Sequence, residues 1–465
     1  MKYKLFDFQE KCLEDCYNYI INGDIEPGVV CCPTSFGKSL IISSLSKKLG
    51  GGVLVLHLSQ ELLSQNLEKF ESFGGQATVY SAALDSKEVS STTFATLKSV
   101  KQAVEELKKF KIKYVIIDEC DRNFSPKKGS EFMKFITALK PKSVIGFTAT
   151  PWALEAGRVG SQLTMLNKLK PPYFKKFIHV TQISELVAKG RWSKCEYEIY
   201  DFDNSLLKLN SSLSDYTTES ILEANRVQGV NRNMAVRLKK LIADGYSRIL
   251  VFVDSTENSE IFSNWLPDSA VLTSNTPAKD RKRIVRDFKA GIIKVLFNYG
   301  VLSIGFDYPE LEVVMVGRSS NSLSWIYQIF GRGVRVHENK KSFRFIDYGG
   351  NIQRFGKIED LEIKLLPAAG YTVVNKDRVL TGVPLGTNYS VDQYVDLVRF
   401  GPKKEVLDFK IRFWFGKHKD KPLIQVPLHY LKWWAENSDE YTRSAKEREL
   451  FNEIAKVLRM KVLVK

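Results

Sequence analysis

The feature that most limits the fold of this chain is a tight turn near residue 35, between an apolar run and an apolar pattern at helical spacing. The run Val29–Cys32 has the length of a buried strand. Leucines and isoleucines then recur helically through residues 40–49, so that Gly37, Lys38 and Ser39 open a helix. The unpaired N–H groups and the dipole of a helix N-terminus favour anions. The sequence therefore predicts a phosphate-binding loop, with Lys38 on the β- and γ-phosphates and the Ser39 hydroxyl on Mg²⁺.

This loop departs from the usual phosphate-loop pattern at one position, because Cys32 stands where that pattern has glycine. A chance Gly-Lys-Ser sequence at a helix start is therefore the alternative interpretation. The motifs further along the chain decide between the two.

A cluster of carboxylates follows the apolar run Tyr114–Ile117, which has the pattern of a buried strand. Carboxylates at the carboxyl end of a parallel strand, beside a phosphate loop, require a cation. We expect Asp118 to hold Mg²⁺ through water, and Glu119 to orient and deprotonate an attacking water molecule. The alternative is a solvated charge cluster without a catalytic role.

The order of strands and helices predicts an α/β fold in several domains. The length of 465 residues is that of about three domains. Strands and helices alternate through residues 1–152, which indicates a doubly wound parallel-sheet lobe. We interpret residues 153–194 as a linker with a loop, 195–366 as a second α/β lobe, and 367–465 as a small α+β module.

The end of the predicted second lobe carries Gln328, Arg332 and Arg335 within a helical pattern. The two arginines are three residues apart and share a helix face, and no carboxylate nearby in sequence obviously neutralises them. Planar guanidinium groups suit a phosphate undergoing transfer, so we expect both arginines to reach the nucleotide site of the first lobe.

The charge balance points to a polyanionic partner. There are 69 basic and 53 acidic residues, a formal net charge of +16, which favours nucleic acid binding. Thr93 and Thr96 end a predicted strand, and hydroxyl groups there suit phosphodiester oxygens, with simple helix capping as the alternative. No apolar run is long enough to span a bilayer, so we expect no membrane partner and a cytoplasmic protein.

Taken together, these stretches resemble a superfamily 2 helicase. The resemblance rests on motifs that occur in the family's order: Gln9, 33–39, 60–62, 118–121, 148–150, 305–307 and 328–335. It implies two RecA-like lobes with ATP and Mg²⁺ bound in the cleft between them, and Gln9 reading the adenine. It also implies that Thr148 and Thr150 couple the lobes and that Arg335 is the arginine finger. The implied nucleotide-binding residues are Pro33, Thr34, Ser35, Phe36, Gly37, Lys38 and Ser39 from lobe 1, with Gly305, Asp307, Gln328, Arg332 and Arg335 from lobe 2.

A finer resemblance concerns residues 345–356, which are similar to the corresponding tract of bacterial RadD-like repair helicases and phage branch-migration helicases of the T-five-like type. It implies a DNA helicase, monomeric, that unwinds forked and branched DNA and single-strand/duplex junctions and drives branch migration. An RNA helicase, a double-stranded DNA translocase or motor subunit of a nuclease complex, and a clamp with a decayed ATPase remain alternatives.

The last part of the chain resembles the small C-terminal module of exonuclease-X-like proteins, without a carboxylate cluster for nuclease chemistry. Its basic and aromatic residues predict an accessory DNA-binding module. The candidate nucleic-acid contacts of the whole chain are Gln60, Thr93, Thr96, Ser303, Lys417 and Lys419.

Overall fold

Two parallel sheets covered by helices form the main body of the protein, as the sequence predicts. The computed structural model describes residues 4–122, 129–157, 160–301 and 308–400, together with 418, 421, 426–437 and 454. Each sheet belongs to one lobe, and a smaller antiparallel sheet follows them. Among the described residues, no helix is both long enough and apolar enough to cross a membrane.

Lobe 1 is built on an eight-stranded sheet in the order β10-β1-β7-β6-β2-β5-β3-β4. All its pairings are parallel except that of β4 with β3. A separate hairpin, β8–β9, projects from it. The strands of this lobe are β1 (Gly28–Cys31), β2 (Val53–His57), β3 (Thr78–Ser81), β4 (Ser86–Lys87), β5 (Thr92–Thr96), β6 (Tyr114–Asp118), β7 (Ser143–Thr148), β8 (Trp152–Ala156), β9 (Ser161–Met165) and β10 (Lys176–Val180). Its helices are α1 (Asp7–Ile21), α2 (Lys38–Leu49), α3 (Gln60–Ser72), α4 (Leu97–Val100), α5 (Val104–Lys109), α6 (Glu131–Leu139) and α7 (Ile183–Ala188).

Lobe 2 contains a six-stranded, wholly parallel sheet in the order β11-β16-β15-β12-β14-β13. Its strands are β11 (Lys194–Ile199), β12 (Ile249–Phe252), β13 (Ser269–Thr273), β14 (Val295–Tyr299), β15 (Val313–Val316) and β16 (Ser342–Asp347). Its helices are α8 (Thr218–Val227), α9 (Val230–Ala243), α10 (Thr256–Trp265), α11 (Ala278–Lys289), α12 (Leu323–Gly333) and α13 (Asn351–Phe355).

Burial on both faces explains the apolar runs that mark these strands in the sequence. Every residue of β1, β2, β7, β12 and β15 is buried, because helices cover each parallel sheet on both sides. The carboxyl ends of the strands meet at one edge of each sheet, where open α/β sheets bind ligands.

The structure differs from the predicted linker at residues 153–194. Strand β10 adds to the edge of the lobe 1 sheet and pairs with β1 in parallel. Phe174, just before it, is buried, and Tyr173 packs edge-on against Phe132 with ring centroids 5.1 Å apart. These aromatic rings anchor the segment to lobe 1. A single apolar pattern cannot show which distant strand it will join.

The C-terminal part begins earlier than the predicted residue 367. Strands β17 (Leu361–Leu366), β18 (Gly370–Asn375) and β19 (Arg378–Val379) form an antiparallel sheet, followed by α14 (Val391–Phe400) and α15 (Leu428–Asn437). Gln182 and Ile363 exchange two hydrogen bonds, of 2.8 and 3.0 Å, which attach β17 to lobe 1.

Candidate nucleotide site between the lobes

The predicted phosphate loop forms the connection between β1 and α2. Gly37 is the N-cap of α2 and has a left-handed φ of 92°. A Cβ added at Gly37 would lie 2.6 Å from Gln9 Nε2, so glycine is required there by both conformation and space. Cys32, the residue that breaks the usual pattern, is buried with its Sγ 3.8 Å from that of Cys12. Its side chain therefore belongs to the core and leaves the loop open.

Gln9 and Phe36 stabilise the loop from the protein side. Gln9 Nε2 donates to Phe36 O at 2.6 Å, and Gln9 Oε1 accepts from Phe6 N at 3.0 Å. The Phe36 ring is fully buried and meets Phe8 edge-on, with centroids 5.2 Å apart. The bulk of Phe36 is thus in the core, and only its backbone can face a phosphate. Contact between Gln9 and adenine stays a prediction.

Lys38, at the start of α2, meets the carboxylate cluster at the end of β6. Lys38 Nζ donates to Glu119 Oε1 at 2.5 Å. Burial would lower the pKa of Lys38, but the carboxylates of Glu119 and Asp118 outweigh it and raise that pKa above its ordinary value. Burial also raises the pKa of Glu119, against the opposing effect of Lys38. Glu119 has a left-handed φ of 51°, a strained backbone of the kind found at functional sites.

Asp118 is held by two residues of lobe 1 that the sequence analysis missed. Asn66 Nδ2 donates to Asp118 Oδ2 at 2.9 Å and lies 3.2 Å from His57 Nδ1. Burial would raise the pKa of Asp118, but His57 and Lys38 outweigh it and lower that pKa. Asp118 therefore stays an anion that can hold a cation. Asn66 lies on the buried face of α3, where the only sequence signal is a polar residue in an apolar stripe.

Asp121 connects the carboxylate cluster to the end of β7. Thr148 Oγ1 donates to Asp121 Oδ1 at 2.6 Å, and Thr150 Oγ1 donates to Asp121 Oδ2 at 2.7 Å. Asp121 also lines a cavity of about 380 Å³ between the lobes, which Trp325 of lobe 2 lines from the other side. The two threonines thus link the carboxylates to the face of lobe 1 that meets lobe 2. Their coupling of the lobes in action stays a prediction.

Helix α12 of lobe 2 packs directly on the phosphate loop. Thr34 N donates to Tyr327 Oη at 3.4 Å, and Trp192 Nε1, from the segment between the lobes, donates to Thr34 O at 2.9 Å. A Cβ added at Gly331 would lie 2.8 Å from Thr34 Cγ2, so the helix approaches the loop as closely as glycine allows. The sequence analysis did not identify Trp192 or Tyr327, because their contacts join residues far apart in the chain.

The predicted lobe 2 residues lie on this same helix or just after it. Gln328 and Arg332 are buried on α12, and Arg332 directly follows the glycine that contacts the loop. Arg335 is half-buried beyond the helix end, and its carbonyl accepts from Ser193 Oγ at 2.9 Å. Lys340 Nζ donates to Gly333 O at 2.8 Å. The end of α12 that carries the arginines is therefore fixed by two side-chain hydrogen bonds.

Three predicted nucleic-acid residues of lobe 1 have different surroundings. Thr93 is fully buried and its hydroxyl donates to Ser90 O at 3.1 Å, so it is engaged within lobe 1 and not offered to solvent. Thr96 and Gln60 are partly exposed at the carboxyl edge of the neighbouring strands β5 and β2. Thr96 Oγ1 donates to Ser99 Oγ at 3.0 Å. Gly305, Asp307, Ser303, Lys417 and Lys419 lie outside the described residues.

The loop has the donors and acceptors that ATP and Mg²⁺ require. In the described part of the chain, Thr34 Oγ1, Ser35 Oγ and Glu119 Oε2 are buried without a hydrogen-bond partner. Buried polar atoms normally have partners, so these three indicate a polar ligand or water. Ser39 and Asp118 supply the hard oxygens that Mg²⁺ prefers, with phosphate and water completing its shell. The described residues include no group of three or more His, Cys, Asp or Glu side chains that could hold a metal ion.

Two family models match the chain in the order of its lobes. Residues 2–153 match the model "Type III restriction enzyme, res subunit", and residues 234–337 match "Helicase conserved C-terminal domain". The two matches together indicate a superfamily 2 helicase. They cover both sides of the cleft, including the phosphate loop and α12, and they support an ATP-hydrolysing enzyme. The helicase resemblance of the sequence is confirmed at this level.

Two relatives are identical to this chain at about a quarter of the matched positions. A "51.5 kDa protein" of Lactococcus phage (isolate 7-9) is 26% identical over 68% of the chain and 64% of the relative. A "Putative ATP-dependent helicase IRC3" of Saccharomyces cerevisiae is 23% identical over 74% of the chain and 51% of the relative. The matched part thus spans between half and two thirds of each relative.

Two solved structures share the fold of the two lobes. The "ATP-dependent Type ISP restriction-modification enzyme LlaBIII bound to DNA" has a TM-score of 0.54 and 17% identity, over 74% of this chain and 28% of that chain. A fragment of "a putative HsdR subunit of a type I restriction enzyme" from Vibrio vulnificus YJ016 has a TM-score of 0.57 and 20% identity, over 75% and 65%. At these identities the likeness concerns the fold alone.

Proposed function

We propose that the protein is an ATP-dependent DNA helicase that binds ATP and Mg²⁺ between its lobes and unwinds forked and branched DNA. One observation carries the proposal: Lys38 and Glu119 form an ion pair beside the phosphate loop, and α12 of the other lobe packs against that loop. Lys38, the cation that would bind phosphate, and Glu119, the proposed general base, are therefore adjacent in a cleft formed by both lobes. Such a cleft can couple hydrolysis to lobe movement.

The ion pair between Lys38 and Glu119 implies that ATP binding precedes proton transfer to Glu119. The γ-phosphate of ATP competes with Glu119 for Lys38 Nζ, so binding separates the pair and leaves the Glu119 carboxylate to accept a proton from water. Asp118, kept anionic by Asn66 and His57, would hold Mg²⁺ together with Ser39. When bound, the Mg²⁺ neutralises charge on the phosphates.

The second lobe completes the site in this proposal. Arg332 lies in the last turn of α12, next to the Gly331 that packs on the loop, and Arg335 lies just beyond the helix end. A guanidinium group stabilises the charge of a phosphate in transfer. Arg335 is the proposed finger because it lies beyond the helix end and is only half-buried. Gln9 contacts the adenine from lobe 1.

DNA is the proposed substrate because the net charge of +16 favours a polyanion and because residues 345–356 resemble a tract of DNA-repair helicases. The protein acts as a monomer, and branch migration follows from the sequence resemblance of residues 345–356. A translocase that moves on duplex DNA without separating it is the second candidate. It is favoured by the match of lobe 1 to a restriction-enzyme subunit family.

Strand displacement on matched substrates tests the proposal. The purified protein is given ATP and a fork, a four-way junction and a tailed duplex, with RNA of equal length as a further arm. We expect DNA-stimulated hydrolysis and displacement of fork and junction, both lost in Lys38→Ala and Glu119→Gln. A matched control, Lys48→Ala on the far end of α2, keeps both. Hydrolysis with no displacement would favour the translocase, stimulation by RNA alone would contradict the DNA assignment, and normal turnover in Glu119→Gln would refute the assigned base.

A further inference from the structure

A second polar cavity, of about 640 Å³, lies where lobe 2 meets the β8–β9 hairpin and the C-terminal sheet. Its wall includes residues that follow β11, β15 and β16, three neighbouring strands of the parallel sheet of lobe 2. These residues therefore lie at the carboxyl edge of that sheet, the edge at which α/β proteins bind ligands. The cavity shares no lining residue with the phosphate loop.

Two arginines without an ion pair, among the residues that the structure describes, line this cavity. Arg354 Nη1 donates to Ser320 O at 2.8 Å and its Nη2 to Asn204 Oδ1 at 2.6 Å. Arg378 Nη2 donates to the carbonyl of Arg354 at 2.7 Å, and burial lowers the pKa of Arg378. A half-buried guanidinium held in place by neutral acceptors attracts an anion, since no bound carboxylate cancels its charge.

Three carboxylates around this cavity have partners other than Arg354 and Arg378. Asp215, which precedes Tyr216, pairs with Arg318 and accepts from Asn321 N at 2.7 Å. Asp347 is fully buried and accepts from Asn351 Nδ2 and from the backbone N–H groups of Gly349 and Ile352. Asp201 accepts from Gln353 Nε2 at 3.1 Å. Burial raises the pKa of Asp347, and the charge of Arg354 opposes that rise. Among the described residues neither Arg354 nor Arg378 forms an ion pair, so both guanidinium groups can still receive an anion from the cavity.

Aromatic and amide groups accompany the arginines. The Tyr216 ring lies 5.0 Å from the guanidinium carbon of Arg354, and Phe202 lines the same wall. Asn388 is exposed at the rim, where a Cβ added to neighbouring Gly386 would meet nothing within 4 Å. Stacking rings beside guanidinium groups are the usual means of binding a base and its phosphate.

We infer that this cavity binds one nucleotide unit of single-stranded nucleic acid, with the phosphodiester on Arg354 and Arg378 and the base against Tyr216. The inference rests on the proposed function for the presence of a separated strand. The volume lies in the range of about 300–1,000 Å³ that small-ligand sites occupy, so it encloses one unit and excludes duplex. Arg354 belongs to the tract of residues 345–356, which would thus take part in binding the single strand.

The test measures fluorescence anisotropy of labelled oligo(dT), about 20 nucleotides long, without ATP and over a range of salt concentrations. Arg378→Gln should weaken binding about tenfold, because a charge-assisted hydrogen bond is lost. It should also reduce the slope of log K against log salt by about 0.7, the value for one phosphate contact on a single strand. Arg286→Gln, exposed on α11 near the opposite edge of the lobe 2 sheet, is the matched control and should leave affinity and slope unchanged.

A pair of rim variants keeps the inference falsifiable if Arg378→Gln unfolds. Asn388→Asp is isosteric and should weaken binding, whereas Asn388→Lys should tighten it and steepen the salt slope. Wild-type affinity and slope in all three variants would overturn the inference. Since anisotropy needs no turnover, an absence of nucleic-acid-stimulated hydrolysis would refute the proposed function separately.

Discussion

Replacing Gly331 with alanine adds one methyl group where helix α12 of lobe 2 meets the phosphate loop of lobe 1. Gly331 lies inside the helix and has no left-handed backbone, so alanine suits it locally and should stabilise the helix by about 1 kcal/mol. The added Cβ, however, would lie 2.8 Å from Thr34 Cγ2. Carbon atoms prefer separations of about 3.5–4.0 Å, so the lobes must separate by about 1 Å at this point.

The side chain of Thr34 cannot turn away cheaply, since it is β-branched and two of its other atoms would lie 3.0 and 3.1 Å from the new Cβ. A misplacement of about 1 Å in a catalytic site costs on the order of 100-fold in rate. We therefore expect Gly331→Ala to lower kcat for ATP hydrolysis about 100-fold while the Tm stays equal or rises. Loss of activity with gain of stability separates a steric effect between lobes from unfolding.

Steady-state ATPase kinetics and thermal melting measure the two effects. The double variant Gly331→Ala with Thr34→Ala removes two of the three crowded atoms, and a double-mutant cycle against each single variant should show partial recovery of kcat. A Gly331→Ala enzyme with wild-type kcat would refute the packing of α12 on the loop. A lower Tm would show that the methyl group disturbs lobe 2 itself.

Three further predictions follow from single contacts. Trp192→Phe keeps an aromatic ring but loses the hydrogen bond to the carbonyl of Thr34. Because one neutral hydrogen bond is lost, kcat/KM for ATP should fall about fivefold. An unchanged kcat/KM would contradict the contact. Asn66→Leu removes the amide group that donates a hydrogen bond to Asp118. ATP hydrolysis should then require about tenfold higher Mg²⁺ concentrations. An unchanged Mg²⁺ titration would contradict a role of Asn66 in positioning Asp118. Burial and the Arg335 charge lower the pKa of Lys340 to about 8. Because the unfolded lysine keeps its proton up to about pH 10.4, the unfolding free energy of the wild type relative to Lys340→Met should be constant below pH 8 and rise between pH 8 and 10.4; a fall over that range would contradict the sign.

The nucleotide half-site of lobe 1 could be predicted because its chemistry is local in sequence. Lys38 opens a helix and Glu119 ends a strand, and a parallel sheet brings such ends to one edge. The structure confirms that these two side chains meet. The alternation of strands and helices likewise gave the α/β class and both parallel sheets.

Contacts between distant segments could not be predicted in this way. Asn66, Trp192 and Tyr327 reach the site only through tertiary packing, and a polar or aromatic residue in an apolar helix usually belongs to the core. For the same reason β10 was placed in a linker, since its partner β1 lies about 150 residues away in the chain. Thr93, expected from the sequence to contact nucleic acid, is buried, and its hydroxyl donates to the carbonyl of Ser90.

The small sheet β17–β19 is fastened to both lobes at once. Ile363 is bonded to Gln182 of lobe 1, while Arg378 is bonded to Arg354 of lobe 2. Because the β17–β19 sheet is attached to both lobes, it connects them at a second place besides the cleft and restricts how far they can move apart. Separation of the two lobes must therefore distort this sheet or break its hydrogen bonds to one lobe. In the proposed enzyme, residues that do not line the nucleotide site would therefore limit how far the two lobes can separate.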